Sequence, residues 1–361
     1  MKMWEDYIRK VVPYVPGEQP QGDLVIKLNT NENPYPPAPG VLKALREMDP
    51  DQFRRYPDPS ASLLTKALAD RYGLPQDQIF VGVGSDDVLG MAFLTFFNSQ
   101  KPILFPDITY SFYSVWADLF KIPYETPALD HGFCVDPKDY RRENGGIVLA
   151  NPNAPTGIYL PIDKVEDIVR WNQDSVVIVD EAYIDFGGQS ARSLIDRYEN
   201  LLVVQTFSKS RSMAGMRIGF AMGSQKLIKA LQDVKYSYNS YTMDYPSIIL
   251  GAEAVKDEAY FCETVAKIIK TREEGKKRFA EMGFSCTDSQ TNFLFVSHKK
   301  APARAIFEAL RQERIYVRYF AAPRLEDHLR VSIGTDEEME TLYRFLEKEL
   351  PNIIVLEQKS Y

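Results

Sequence analysis

From residue 78 onward, short apolar runs alternate with amphipathic stretches, and each apolar run ends in a polar cluster. The runs at 78–83, 101–105, 146–150, 175–179 and 201–204 are rich in Val, Ile, Leu and Phe, as strands buried on both faces must be. Between several of them lie helical patterns at 87–97, 111–120 and 163–172. This rhythm predicts an α/β fold: a mostly parallel central sheet with helices on both faces. Ligands of such sheets lie beyond the carboxyl ends of the strands. The clusters Gly84-Ser85-Asp86, Asn151 to Gly157, Asp180 to Tyr183 and Thr206 to Lys209 all fall at those ends. They predict one shared site.

The rest of the chain reads differently. Residues 1–40 are a proline-rich arm, PYVPG and then LNTNENPYPP, too proline-dense for regular helix. Its tyrosines and amide side chains predict an ordered arm that lines something. Helices are expected at 39–48 and 62–72, and long helical patterns at 247–282 link to the last part. After Gly283 the pattern becomes a smaller α+β unit, with strands at 292–296, 315–318 and 329–333 and helices at 302–313 and 336–350. At 361 residues the chain exceeds what one core usually supports. The expected division is an arm with part of a small domain (1–48), a large domain (49–282) and a C-terminal small domain (283–361).

Composition excludes several classes. A net charge of -7 argues against nucleic acid or an anionic membrane as the main partner. The 45% hydrophobic and 26% charged content is that of an ordinary globular protein. Cys134, Cys262 and Cys286 show no metal-ligand spacing, and the three histidines are scattered, so no metal is expected. The first residues are charged where a signal peptide needs an apolar core, and no stretch approaches the ~20 apolar residues of a membrane span. A cytoplasmic location is the resulting expectation.

Lys209 comes directly after a buried strand, ringed by Thr206, Ser208, Ser210 and Ser212, with Arg217 opening the next apolar run. That setting suits a nucleophilic amine beside a bound phosphate. Thr206, Ser208 and Arg217 supply phosphate ligands, the last with charge-assisted bonds. Ser85 and Asp86 sit where a helix begins, which favours an anion, although Ser85 serves equally as a simple N-cap. Asp180 ends an apolar strand and needs a cationic partner, such as a protonated pyridine nitrogen. Tyr183 is placed to give its phenol to a ring oxygen, and Tyr110 offers an aromatic face. A phosphate cradle, a carboxylate for a pyridinium and an imine-forming lysine together describe pyridoxal 5'-phosphate.

NPNAPTG, DEAY, SKSRSMAGMRIG and LRVSIGT resemble the fold-type-I, class I/II aminotransferases. PYVPG, LNTNENPYPP, RRYPD, GSDD and VRYF narrow the resemblance to the histidinol-phosphate aminotransferase family, over nearly the whole chain. The resemblance implies that Lys209 is the Schiff-base lysine, Asp180 the partner of the pyridine nitrogen and Tyr183 the ring-oxygen contact. It implies that Tyr110 stacks on the ring, and that Ser85, Asp86, Ser208 and Arg217 bind the cofactor phosphate. Tyr56 would reach in from the second subunit of a homodimer with shared sites. Arg330 would hold a substrate α-carboxylate, while Tyr14 and Arg318 face a substrate phosphate. One position departs from the family pattern. An asparagine commonly precedes Pro-Thr-Gly there and bonds the ring oxygen; here it is Ala154, which leaves Asn153 or Asn151 to take over.

The activity implied is ping-pong transfer of an amino group between a small-molecule donor and a keto acid. In the family's reaction L-histidinol phosphate and 2-oxoglutarate give imidazole acetol phosphate and L-glutamate, in histidine biosynthesis. Rival readings are an aromatic amino acid aminotransferase, a threonine-phosphate decarboxylase-like enzyme, and a non-catalytic cofactor-binding domain of a regulator. The last needs a basic DNA-binding extension, which this acidic chain lacks.

Overall fold

The structure is a computed structural model that describes residues 3–22 and 25–358. The arm contributes β1 (Ile26–Lys27), and α1 (Pro39–Glu47) and α2 (Ser62–Tyr72) come next. The large sheet is built from β2 (Ile79–Gly82), β3 (Ile103–Leu104), β4 (Tyr124–Glu125), β5 (Gly146–Ala150), β6 (Val177–Asp180), β7 (Leu201–Thr206) and β8 (Gly219–Gly223). Its strand order is β2-β8-β7-β6-β5-β3-β4. Pairing is parallel from β7 through β4 and antiparallel only around β8.

Helices cover both faces. Leu201 and Val203 of β7 pack into one core with α1, α2 and α5 (Ile162–Trp171), while Leu202 and Val204 pack into another. That second face is covered by α3 (Ser85–Phe96), α4 (Phe112–Phe120) and α6 (Gln225–Tyr238). Each buried aliphatic side chain adds about 1.5–3 kcal/mol, so the sheet's interior is the anchor for the loops at its edge.

α7 (Tyr245–Lys256) and α8 (Glu258–Glu281) divide the helical stretch expected at 247–282, because Asp257 caps α8 by accepting from the Tyr260 N–H. α8 gives Val265, Ile268 and Phe279 to a separate core. That core also holds β9 (Phe284–Cys286), β10 (Phe293–His298), α9 (Ala303–Gln312), β11 (Ile315–Tyr316), β12 (Arg318–Tyr319), β13 (His328–Ser332) and α10 (Asp336–Gln358). The strand expected at 315–318 is split at buried Val317: β11 pairs in parallel with β1, and β12 joins the sheet β12-β13-β10-β9. α10 runs past its expected end at Leu350, through Pro351, because Ile353 also packs into this core. α1 packs with the large sheet instead, through Val41.

Two glycines bring the start of α3 against the large sheet. Gly84 has φ 85°, and a side chain there would meet the Arg217 guanidinium at 2.5 Å. Gly219 opens β8, where a Cβ would lie 2.3 Å from the Ser85 nitrogen. Without side chains at both, Arg217 and the α3 N-terminus become neighbours. Among the described residues no helix is long and apolar enough to cross a membrane.

Candidate active site

The carboxyl ends of the strands open on a cavity of about 260 Å³. Tyr14, Ser85, Asp86, Tyr110, Asp180, Tyr183, Thr206, Ser208, Lys209, Arg217, Arg318 and Arg330 all line it. Sequence elements far apart are thus brought together where the strand ends predict.

Asp180 ends β6 and is buried. Burial pushes its carboxyl up to about 6, against the hydrogen bonds it accepts from the Tyr113 hydroxyl (2.7 Å) and the Ala182 N–H (3.2 Å). It has no cationic partner among the described residues. Lys209 faces the same cavity, and its Nζ donates to the Thr30 carbonyl at 3.0 Å. Burial, then the charge of Arg330, lowers the amine to about 8, so a neutral, nucleophilic form is accessible near neutral pH.

At the α3 end of the cavity, Arg217 adopts φ 51° and reaches the Ser208 hydroxyl and the Asp86 carboxylate, both at 3.4 Å. Thr206 donates to Ser208 Oγ at 3.0 Å. Ser85 is not an N-cap: Gly84 holds that position and no side chain caps the helix. The first amides of α3 have no acceptor within the helix and face this end. Tyr110 forms the wall beside it, its hydroxyl donating to Asp86 at 2.8 Å.

The opposite end is cationic. Arg330, on β13, is half-buried, donates one Nη2 bond to the Asn29 carbonyl (2.9 Å) and has an inaccessible Nε with no partner among the described residues. Burial lowers its pKa as well. Arg318 opens β12, its guanidinium 5.5 Å from the Phe320 ring. Neither arginine forms an ion pair among the described residues. Tyr14 stacks on Phe112 at 4.3 Å. A second hollow of about 640 Å³ adjoins here, sharing Tyr14, Tyr110, Ala154, Arg318 and Arg330 with the first.

The arrangement is an amine, a buried carboxylate, a helix N-terminus beside Arg217, and two guanidiniums with no ion pair among the described residues, all around one cavity. Residues 23–346 match the family described as aminotransferase class I and II. The chain is 49% identical over 358 residues to a histidinol-phosphate aminotransferase of Lactococcus lactis subsp. cremoris, covering 99% of each chain. It is 50% identical over 339 residues to one of Clostridium botulinum, covering 94% of this chain and 96% of that one. This chain belongs to the class I and II aminotransferases. A solved histidinol-phosphate aminotransferase from Sinorhizobium meliloti, in complex with pyridoxal-5'-phosphate, superposes with a TM-score of 0.82 at 26% identity, covering 91% of this chain and 90% of that one.

Three of the residues considered for the site, Tyr56, Asn153 and Asn151, do not line this chain's cavity. Tyr56 is 82% exposed, stacked on Tyr241 at 4.6 Å, and does not line the cavity of its own chain. Asn153 is buried, but its amide is committed to Thr109 Oγ1, the Ile108 carbonyl and Thr156 Oγ1. Asn151 is tied to Leu160 through both amide atoms. Neither amide is left for the cavity, where the turn presents Pro152 and the Ala154 methyl.

Sequence reading missed three contributors. Tyr113 looks like an ordinary core aromatic of α4, and nothing in its spacing marks its bond to Asp180. Asn31 donates to the Tyr183 hydroxyl at 2.9 Å, and Asn33 donates to the Lys209 carbonyl at 2.9 Å. The amide-rich run LNTNENP was the signal for those two.

Proposed function

We propose that this aminotransferase uses pyridoxal phosphate to move an amino group between L-histidinol phosphate and 2-oxoglutarate, yielding imidazole acetol phosphate and L-glutamate. The observation that carries the substrate half is the pair Arg318 and Arg330, two guanidiniums at one cavity with no ion-pair partner among the described residues. One substrate brings a phosphate and the other an α-carboxylate. A planar guanidinium already fixed by a carbonyl, as Arg330 is, suits bidentate binding of a carboxylate. Arg318, with Tyr14, is assigned to the phosphate.

The cavity suits the cofactor. Asp180 is a buried carboxylate with no cationic partner among the described residues, and the close approach at Gly84 and Gly219 sets the Arg217 guanidinium beside the free amides of the α3 N-terminus, a pairing that suits a phosphate. Ser85, Asp86, Thr206, Ser208 and Arg217 would hold that phosphate, Tyr110 would cover the ring face and Lys209 Nζ would hold the carbonyl carbon. When bound, the cofactor supplies a conjugated ring that accepts the electron pair left when the substrate's α-proton departs. Asp180 would hold a proton on the ring nitrogen, which would make that acceptance favourable. Tyr183 would donate to the ring oxygen. Lys209 would accept the α-proton; its lowered pKa fits it to act as base near neutral pH.

The reading includes a homodimer with shared sites, in which Tyr56 reaches the cofactor phosphate bound to a second copy. Its exposure beside exposed Phe53, Tyr238 and Tyr241 supports that placement. We also assign the enzyme to the cytoplasm, and divide the chain by its cores: a large domain of about 38–257, and a small one of the arm with 258–361. The test is a donor panel on cofactor-loaded protein, with 2-oxoglutarate as acceptor. Histidinol phosphate should give the highest kcat/KM. A preference for phenylalanine, or carbon dioxide release from threonine phosphate, would replace this reading with the corresponding rival.

A further inference from the structure

The wall of the cavity around the Tyr183 phenol contains one amide that faces it, and that amide comes from the arm. Asn31 Nδ2 donates to Tyr183 Oη at 2.9 Å. Its other amide atom, Oδ1, accepts from Ser332 Oγ at 2.9 Å, and Ser332 Oγ accepts from the Asn31 N–H at 2.9 Å. This closed pair fixes which way the amide points: reversed, it would leave the Ser332 proton without its acceptor. The Asn31 carbonyl accepts from Asn292 Nδ2 at 2.9 Å, and the residue sits, buried, at φ 58°, a conformation asparagine tolerates better than most. The amide is therefore held from three directions.

A phenol has one proton to give and lone pairs to receive. With Asn31 donating to its oxygen, Tyr183 must direct its own proton elsewhere, and no protein acceptor for it exists among the described residues. Tyr183 lines the cavity, so the direction left is the cavity itself. The turn at 151–157 adds no side-chain amide there, since its asparagines are committed and Ala154 carries only a methyl group.

We infer that Asn31 is a positioning residue for Tyr183, obliging the phenol to donate to the ring oxygen of the bound cofactor instead of accepting from it. This rests on the reading above that Tyr183 faces that oxygen. Because Ser332 lies at the end of β13 and Asn292 just before β10, the small domain sets the phenol's polarity through Asn31.

The readout is the pH midpoint of the visible absorbance change of the cofactor-loaded enzyme. Losing a donor to an anionic oxygen favours its protonated form, so the midpoint should rise. Asn31→Gly, which keeps the left-handed backbone, should raise it by about 0.5–1 pH unit. Tyr183→Phe should raise it in the same direction, and adding Asn31→Gly to Tyr183→Phe should give no further rise. If Tyr183→Phe leaves the midpoint in place, the assignment of Tyr183 to the ring oxygen falls, and this proposal with it. If Tyr183→Phe moves it while Asn31→Gly does not, or if the two shifts add, only the role of Asn31 is overturned. Should Asn31→Gly fail to fold, Asn31→Asp keeps the shape but takes the phenol's proton. The midpoint must then rise more in the Tyr183 background than in Tyr183→Phe, and equal rises overturn the proposal.

Discussion

The Tyr113 hydroxyl donates to Oδ2 of Asp180 at 2.7 Å, inside a core that otherwise gives the carboxylate one backbone N–H. Two hydrogen bonds do not offset the loss of water, and the carboxyl is pushed up to about 6. Asp180 is thus a charge kept at a cost until a cation arrives.

That cost should be measurable in the cofactor-free protein. Between its unfolded value of 3.8 and its folded value of about 6, native Asp180 holds a proton the unfolded chain has released. Its contribution is full below about 3.8 and lost as pH rises through about 6. Asp180→Asn should therefore stabilise the cofactor-free protein above pH 6, by up to about 3 kcal/mol, with the gain vanishing toward pH 4. Urea unfolding across that range checks it; a gain unchanged at pH 4 would show that the charge is not the cause. The same substitution should weaken cofactor binding.

Tyr113→Phe removes the stronger bond to the carboxylate without emptying the core. Cofactor affinity should fall roughly tenfold, from loss of about 1.5 kcal/mol of hydrogen bonding to a charged group. Fluorescence titration with pyridoxal phosphate would read this. An unchanged affinity would mean the bond serves packing alone.

Lys209 is expected to be the attachment point of the cofactor. Borohydride reduction of the loaded enzyme should add the cofactor's mass to the peptide carrying Lys209. Lys209→Ala should show no such addition and no turnover. A label on another lysine would relocate the site.

Arg318 and Arg330 should separate the two substrates. A charge-assisted bond to a bound anion contributes about 1.5–3 kcal/mol, so losing one should lower kcat/KM roughly tenfold to a hundredfold. Arg318→Ala should impair histidinol phosphate and spare phenylalanine. Arg330→Ala should impair glutamate and phenylalanine together. Stopped-flow measurement of each half-reaction distinguishes them, and equal losses on all donors with Arg318→Ala would refute the phosphate assignment.

Shared sites predict complementation. Tyr56→Ala and Lys209→Ala chains, each nearly inactive, should regain part of the activity when mixed, since one hybrid site carries both native residues. No recovery after subunit exchange verified by mass would argue that Tyr56 serves its own chain.

The strand ends are legible in the sequence because buried parallel strands are continuous apolar runs, and the residues directly after each run are conspicuously polar. Lys209 and Asp180 stand out for that reason, whereas Arg217 stands at the start of the next apolar run. β8 does not, since GFAMG is short and glycine-bounded, and its antiparallel direction depends on the turn at 207–218. Asn153 misleads for a different reason. Its residue type suits a ring contact, but the turn folds its amide back onto Ile108 and Thr156. Asn31 is hidden because the arm has no periodicity, so its partners come entirely from residues distant in the chain.

That distance has a consequence for how the enzyme comes into being. Asn31 is bonded to Ser332, 301 residues further along, and β1 is paired with β11. On the ribosome, the arm is made long before β11 and Ser332, so these two contacts must wait until almost all of the intervening chain has been made. Thr30, whose carbonyl holds the Lys209 amine, is carried on that waiting segment. The large sheet can form while the arm is still free, but the wall the arm supplies cannot. The cavity is therefore completed last, and a chain cut short before β13 would keep Lys209 and Asp180 yet lack the hydroxyl that orients Asn31.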